Sequence, residues 1–351
     1  MSVEPTQQPP RASATSPEET ASIRRFLYRQ FFVTLPLPTD VNLQGKIAIV
    51  TGANTGIGLE CARQLLDLHV DKLIIAVRNE EKGQKAKANL LSGRQVEPDA
   101  VDVWKLDLES YDSINSFVER AKALDHLDIA VLNAGVMNQE YLVTVPTNHE
   151  LTIQVNVLST ALLSIQLLPL LKAKSASDPP GRLVFVSSDM AFWAKFKEKN
   201  AMPLLPTLDK PESFGVPERY CVSKLLGQIF VSELSKRVPP STVLITMPNP
   251  GLCYGTSLGV APGGSFVDKV AAVLKRIFGR SPSVGARALT DGAVHHGAEA
   301  HGQYLQDCQP LGQSPSLTRP EAERLGQTLW DEVMSDLAFS QVEEIVQGLK
   351  V

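Results

Sequence analysis

Cysteine is scarce. Cys61, Cys221, Cys253 and Cys308 stand far apart and form no C-x-x-C pair. That spacing excludes a disulfide framework and a cysteine zinc site, and it suits a reducing compartment. The six histidines include His295, His296 and His301, with no Cys/His pattern around them, so surface or core roles are expected and no metal site. No uninterrupted apolar run approaches the ~20 residues of a membrane span, and residues 1–6 open no secretory apolar stretch. The two absences make a cytoplasmic protein without an integral membrane segment the expectation. A net charge of −4 offers no basic surface to a nucleic acid. What remains is ordinary: 43% hydrophobic and 21% charged residues in a chain of 351, enough for one large core.

The first 40 residues read as an N-terminal extension. Residues 1–20 are rich in Pro, Ser, Thr, Gln and Glu, a composition that predicts disorder. Residues 23–32 turn basic and aromatic and read as a short helix packed on the domain. A weak membrane-surface contact is the alternative. From residue 41 to 351 a single domain is expected. Short β-branched runs at 47–50, 72–77, 101–106, 127–132, 182–186 and 242–247 read as strands. Helical patterns at 80–91, 113–124, 149–173 and 217–237 lie between them. Such alternation predicts an α/β fold: one doubly wound parallel sheet of Rossmann type, with helices on both faces.

The first strand runs into Gly52-Ala53-Asn54-Thr55-Gly56-Ile57-Gly58 and then a helix. Strand, glycine turn and helix form a dinucleotide-binding arrangement. Gly52 makes the tight turn, Gly56 lets a pyrophosphate approach the backbone, and Gly58 allows close helix–strand packing. Three glycines alone also fit an ordinary turn, so other stretches must decide. At the end of the second strand, where an acid would bond a ribose 2′-OH, the chain has Val77-Arg78-Asn79. Arg78 can pair with a 2′-phosphate, which points to NADP(H) over NAD(H). It also reads as a solvated Arg at a helix start. Asp107-Leu108 follows the third strand, where a carboxylate can accept the adenine amino group. Asn133-Ala134-Gly135 follows the fourth, where small residues admit the cofactor.

Tyr220 and Lys224 lie four apart and share one helix face. An ammonium beside a phenol favours the phenolate, and a tyrosine so tuned exchanges a proton with a carbonyl or alcohol. A half-buried Tyr over a snorkelling Lys is the structural alternative. Ser187-Ser188 ends the fifth strand, where a hydroxyl can donate to a substrate oxygen gaining charge. Asn156 sits in an apolar helical stretch and would need partners if buried.

Taken together, T-G-A-N-T-G-I-G (51–58), L-N-A-G (132–135), V-S-S (186–188), Y-C-V-S-K (220–224) and N-P-G (249–251) resemble the short-chain dehydrogenase/reductase family, over roughly residues 42–310. The chain looks most like the retinol-dehydrogenase-like branch. It is also similar to oxidoreductases of fungal secondary-metabolite clusters, including residues 26–32 and Leu329-Trp330-Asp331-Glu332.

The resemblance implies roles. Tyr220 is the acid–base, Lys224 lowers its pKa and bonds the nicotinamide ribose, and Ser188 polarises the substrate carbonyl, with Ser187 one residue away. Asn156 holds a relay water and Arg78 a 2′-phosphate. Pro250, Gly251 and Thr256 border the cofactor, and residues 252–280 form a substrate loop. The segment between Ser188 and Tyr220 is longer than in compact members. Its Phe192, Trp193, Phe196, Met202 and Phe214 are candidates for a pocket or lid, or belong to a surface excursion. The expected activity moves hydride between NADP(H) and a small hydrophobic ketone, aldehyde or alcohol. A homodimer stays open. The rivals are a nucleotide-binding protein without turnover, and a lyase, epimerase or dehydratase on the same groups.

Overall fold

The structure is a computed structural model that describes residues 22–172, 179–255, 276–312 and 320–349. Eight strands form one sheet in the order β3-β2-β1-β4-β5-β6-β7-β8. They are β1 (Ile47–Thr51), β2 (Lys72–Val77), β3 (Val101–Lys105), β4 (Ile129–Leu132), β5 (Gly181–Phe185), β6 (Val243–Asn249), β7 (Gln303–Gln306) and β8 (Gln309–Gly312). All neighbours pair in parallel except β7 and β8. The order reverses between β1 and β4, which makes the switch point where ligands bind in such sheets. All five residues of β1 are buried, as befits a strand covered on both faces.

The helices are α1 (Ile23–Phe32), α2 (Gly56–Asp67), α3 (Glu80–Leu91), α4 (Tyr111–Ala121), α5 (Leu151–Leu171), α6 (Glu218–Ser235), α7 (Pro282–Val294), α8 (Pro320–Asp336) and α9 (Val342–Gln347). One face of the sheet packs against α4, α5, α6, α8 and α9, and the other against α2, α3 and α7. Local chemistry sets the starts. Asn79 accepts from Lys82 N at 2.9 Å, and Ser110 accepts from Ser113 N at 3.3 Å, so α4 begins two residues before its sequence pattern. Ser281 caps α7, with Pro282 in its first turn.

Two helices add to the sequence reading. α5 is long and apolar enough to cross a membrane by length and composition, although polar residues interrupt it. It is buried in the core, where its Gln154, Asn156, Ser159, Thr160 and Ser164 are also buried. And α1 does pack on the domain, with Phe26 against Trp193 and Phe31 against Phe278, but its most buried side chains are not the aromatic ones. It buries Arg29 and Gln30, while Phe31 is 50% and Phe32 72% exposed. Charged partners in the core explain the inversion, since Arg29 meets both Asp189 and Asp307 there.

Candidate active site

A cleft of about 590 Å³ opens beyond the carboxyl ends of the strands. Its wall brings together the glycine turn (Gly52, Asn54, Thr55, Gly56, Ile57, Gly58) with Arg78, Asp107, Leu108, Asn133, Ala134 and Gly135. Ser187, Ser188, Tyr220, Lys224, Pro250 and Gly251 line the same cleft. Thr256 and most of the expected substrate loop, residues 256–275, lie outside the described residues.

The glycine turn is built as its composition requires. Gly52 and Gly56 adopt φ of +65° and +60°, conformations glycine reaches without strain. A Cβ on Gly58 would stand 2.4 Å from Asn133 Nδ2 and 2.7 Å from Gly52 O, so only glycine lets α2 start there. Asn133 fastens the turn. Its Nδ2 donates to Thr51 O at 2.9 Å, and the Thr51 hydroxyl accepts from the N–H groups of Asn133 and Ala134 at 3.0 and 2.9 Å. The N-terminus of α2, with no side-chain cap from Thr55, faces the cleft, a suitable place for a phosphate.

Arg78 follows β2 at the rim, with its side chain 66% exposed and paired with Glu109. Asp107 lies nearby, its Oδ1 accepting from Glu109 N at 3.0 Å. Glu109 was not among the sequence candidates. It belongs to the cleft because the loop after β3 folds back toward β2, which no local pattern announces.

At the other end, the Ser188 hydroxyl bonds the Tyr220 hydroxyl and accepts from Met190 N at 3.2 Å. The neighbouring Ser187 is buried, and its hydroxyl accepts from Gln228 Nε2 at 2.7 Å. Of the two serines, Ser188 is the one that meets the tyrosine. Burial pushes the Tyr220 phenol above its usual range, and the Ser188 bond only partly offsets this. The expected lowering by Lys224 is not what the geometry gives. Lys224 Nζ stands 5.8 Å from the Tyr220 ring centroid and donates to Val186 O at 3.0 Å. Burial instead lowers Lys224 itself to about 8.

Asn156 lies in a π-helical turn, Gln154–Ser159, inside α5. Its amide uses both donors and one of its two acceptor lone pairs: Nδ2 donates to Val136 O at 2.8 Å and Ser223 Oγ at 3.0 Å, and Oδ1 accepts from Val136 N at 2.8 Å. Gly135 fits beside it, since a Cβ there would come within 3.1 Å of Asn156 Oδ1. Asn249, unassigned from the sequence, adds an orphan. Its Oδ1 accepts from Gly251 N at 3.0 Å, while its buried Nδ2 has no partner among the described residues. A buried donor left unpaired at a cleft wall is satisfied by a bound polar group. The glycine cradle, the uncapped helix start and this orphan donor fit a dinucleotide.

The long segment before Tyr220 divides. Trp193 lines the cleft, Phe196 is buried in the core, Phe192 packs on Tyr304 at 4.9 Å, Phe214 on Tyr141 at 5.9 Å, and Met202 is exposed. The four cysteines are free and buried, and His295 and His296 pair with Asp291. Among the described residues no group of three His, Cys, Asp or Glu side chains is placed to hold a metal.

A doubly wound sheet with a Ser-Tyr-Lys cluster opposite a glycine turn defines an oxidoreductase of the dinucleotide-binding class. The family model described as short chain dehydrogenase matches residues 46–198. The short-chain dehydrogenase fogG of Aspergillus ruber is 47% identical over 340 residues, covering 95% of this chain and 97% of that one. The short chain dehydrogenase virL of Hypocrea virens is 38% identical over 328 residues, covering 93% and 94%. The chain belongs to the short-chain dehydrogenase family, and it is an enzyme of the oxidoreductase kind. Among solved structures, NADPH-bound carbonyl reductase from chicken fatty liver superposes with a TM-score of 0.54 at 18% identity, covering 76% of this chain and 97% of that one, a likeness of fold.

Proposed function

We infer that the protein is an NADP(H)-dependent enzyme that reduces a carbonyl, or oxidises a secondary alcohol, on a small hydrophobic substrate. The observation that carries this is the convergence of Ser188, Tyr220 and Lys224 on one cleft with the glycine turn and Arg78. The relatives and the family model support the oxidoreductase class. The NADP(H) preference rests on Arg78 with no acid at Val77, and the retinol-dehydrogenase-like or secondary-metabolite substrate on resemblance. The absence of a disulfide framework fits a cytoplasmic setting.

When bound, the nicotinamide supplies or accepts the hydride. The chain's own groups do the rest. The glycine turn and the start of α2 would hold the pyrophosphate, Arg78 would be the partner of the 2′-phosphate in competition with Glu109, and Asn249 Nδ2 would be free to donate to the bound group. Ser188 donates to the substrate oxygen as charge builds on it. Tyr220, kept protonated by burial, donates the proton that oxygen needs. Lys224, lowered to about 8 by burial, stays mostly charged at neutral pH and gives up a proton readily. Both Asn156 Nδ2 protons are engaged, so a relay water would be held through an acceptor of this residue, its main-chain carbonyl in the π turn or the second lone pair of Oδ1.

The test is NADPH oxidation at 340 nm with a panel of hydrophobic ketones and aldehydes, wild type beside Tyr220→Phe. Turnover that drops at least ~100-fold in the variant supports the reading. No oxidation above background in either protein would leave a nucleotide-binding protein without turnover, equal rates above background would remove Tyr220 from the acid–base role, and product without net cofactor oxidation would point to a lyase or epimerase.

A further inference from the structure

The outer side of the cleft is closed by a segment from outside the sheet. Phe26 of α1 meets Trp193 edge to face, with ring centroids 5.2 Å apart and planes at 78°. Both rings line the cleft, together with Met137, Met190 and Leu252. Ser188 and Tyr220 supply polar groups to the cleft, and these five residues supply an apolar surface with two aromatic rings.

A ten-residue helix is marginal by itself, and α1 leaves most of its aromatic surface in water. What holds it is polar. Arg29 Nη2 donates to Asp189 Oδ2 at 2.8 Å and Arg29 Nε to Asp307 Oδ2 at 2.7 Å, all three side chains being buried or nearly so. Asp189 immediately follows Ser188, and its Oδ1 accepts from Tyr304 OH at 2.7 Å and Gln306 Nε2 at 3.1 Å. Gln30 clasps the loop after β6: Nε2 donates to Leu252 O at 2.9 Å and Phe278 O at 3.1 Å, and Oε1 accepts from Leu252 N at 3.3 Å. The helix is thus tied to the serine loop and to the loop that carries Pro250 and Gly251.

We propose that α1 is a wall of the substrate pocket, that Phe26 with Trp193 selects a planar aromatic carbonyl compound, and that Arg29 and Gln30 are the positioning residues that hold this wall. The proposal rests on the cleft being a carbonyl site and adds the class of carbonyl it takes. A flat ring entering beside Trp193 meets one aromatic edge and one aromatic face, an arrangement a saturated ring of the same size cannot exploit. Because the wall is held by side chains that touch neither substrate nor cofactor, it can be loosened without altering either reacting group.

The experiment uses the full chain with saturating NADPH and two ketones of similar size, methyl phenyl ketone and methyl cyclohexyl ketone. Phe26→Ala should raise KM for the aromatic ketone by roughly 2–12-fold, the range an aromatic pair contributes, and for the saturated one by less. NADPH affinity should stay unchanged, kcat should fall by less than about 2-fold, and Phe26→Tyr should restore the ratio. Arg29→Met should reproduce the change in ratio with Phe26 intact. If that variant does not fold, the Phe26 series still decides. Equal KM shifts for both ketones, or none, would overturn the proposal. If wild type turns over neither ketone, the carbonyl reading fails separately. Quenching of tryptophan fluorescence by the aromatic ketone then judges the wall: quenching lost in Trp193→Phe and weakened in Phe26→Ala upholds it, and quenching unchanged in both refutes it.

Discussion

Arg78 shares its position at the rim with Glu109, and the two give opposite signals to a 2′-phosphate. A charge-assisted hydrogen bond is worth ~1.5–3 kcal/mol, so Arg78→Ala should weaken NADPH binding by ~10–150-fold and leave NADH nearly unaffected. Glu109→Gln should strengthen NADPH binding, because it removes both the competitor for the guanidinium and a like charge beside the phosphate. Binary dissociation constants at low and moderate salt measure both; equal losses for the two cofactors in Arg78→Ala would make Arg78 structural. The acid–base groups offer a second check. Lys224 is lowered to about 8, so its proton is present below that value and lost as pH rises through it. Carbonyl reduction should decline across about pH 8 while the buried Tyr220 stays protonated well beyond, and Lys224→Arg should move the decline to higher pH. A decline that stays put in the variant would assign it elsewhere. Tyr220, Lys224 and the glycines were legible in the sequence because each acts within a few residues of its motif. Glu109 and Phe26 were not, since they reach the cleft from segments that only the fold brings together, and Asn249, inside N-P-G, shows its unpaired Nδ2 only in the structure.

Among the elements, α5 shows how a motif residue is held. Its start is fastened by His149, whose Nδ1 meets Asp209 Oδ2 at 2.8 Å and whose Nε2 meets Asp336 Oδ1 at 2.9 Å. Tyr111 OH also donates to Asp336, at 3.0 Å. The two carboxylates outweigh burial and raise His149 to about 9. A raised histidine contributes stability that is full below its unfolded value of ~6.5 and lost as pH rises through about 9. His149→Gln should therefore lower Tm clearly at pH 6, with the difference from wild type shrinking by pH 10. Thermal melts across that range test it, and a pH-independent difference would mean the imidazole is uncharged. The helices that pattern revealed are the capped α3 and α4 and the long, apolar α5 and α6. β7 escaped notice because it has four residues with glutamine at both ends, and α7 because Gly285 and Gly292 dilute its stripe. The Ser281-Pro282 start was the available signal for α7. The π turn at Asn156 has no sequence signature in this chain.

For the whole molecule, alternation of strand and helix was enough to foresee one parallel sheet, because a right-handed crossover leaves few ways to order the strands. It could not foresee how the N-terminal extension joins that sheet. The basic and aromatic residues 23–32 pointed to a helix packed on the domain, and it packs through Phe26 and also through charges whose partners, Asp189 and Asp307, are 160 and 278 residues away from Arg29. The difference is measurable by truncation. Deleting residues 1–20 should leave Tm and kcat/KM unchanged, since their composition cannot bury a core. Extending the deletion through Val33 removes Arg29 and Gln30. Asp189 then keeps only the Tyr304 and Gln306 donors, Asp307 only Arg280, and Leu252 loses the amide that clasps it. Removing one partner of a buried ion pair costs about 3–5 kcal/mol, so the longer truncation should melt earlier and unfold at lower urea than the shorter one. Because those losses fall beside Ser188 and Leu252, KM for the carbonyl substrate should rise as well. A longer truncation with unchanged Tm and lost liposome binding would instead make the exposed Tyr28, Phe31 and Phe32 a membrane contact.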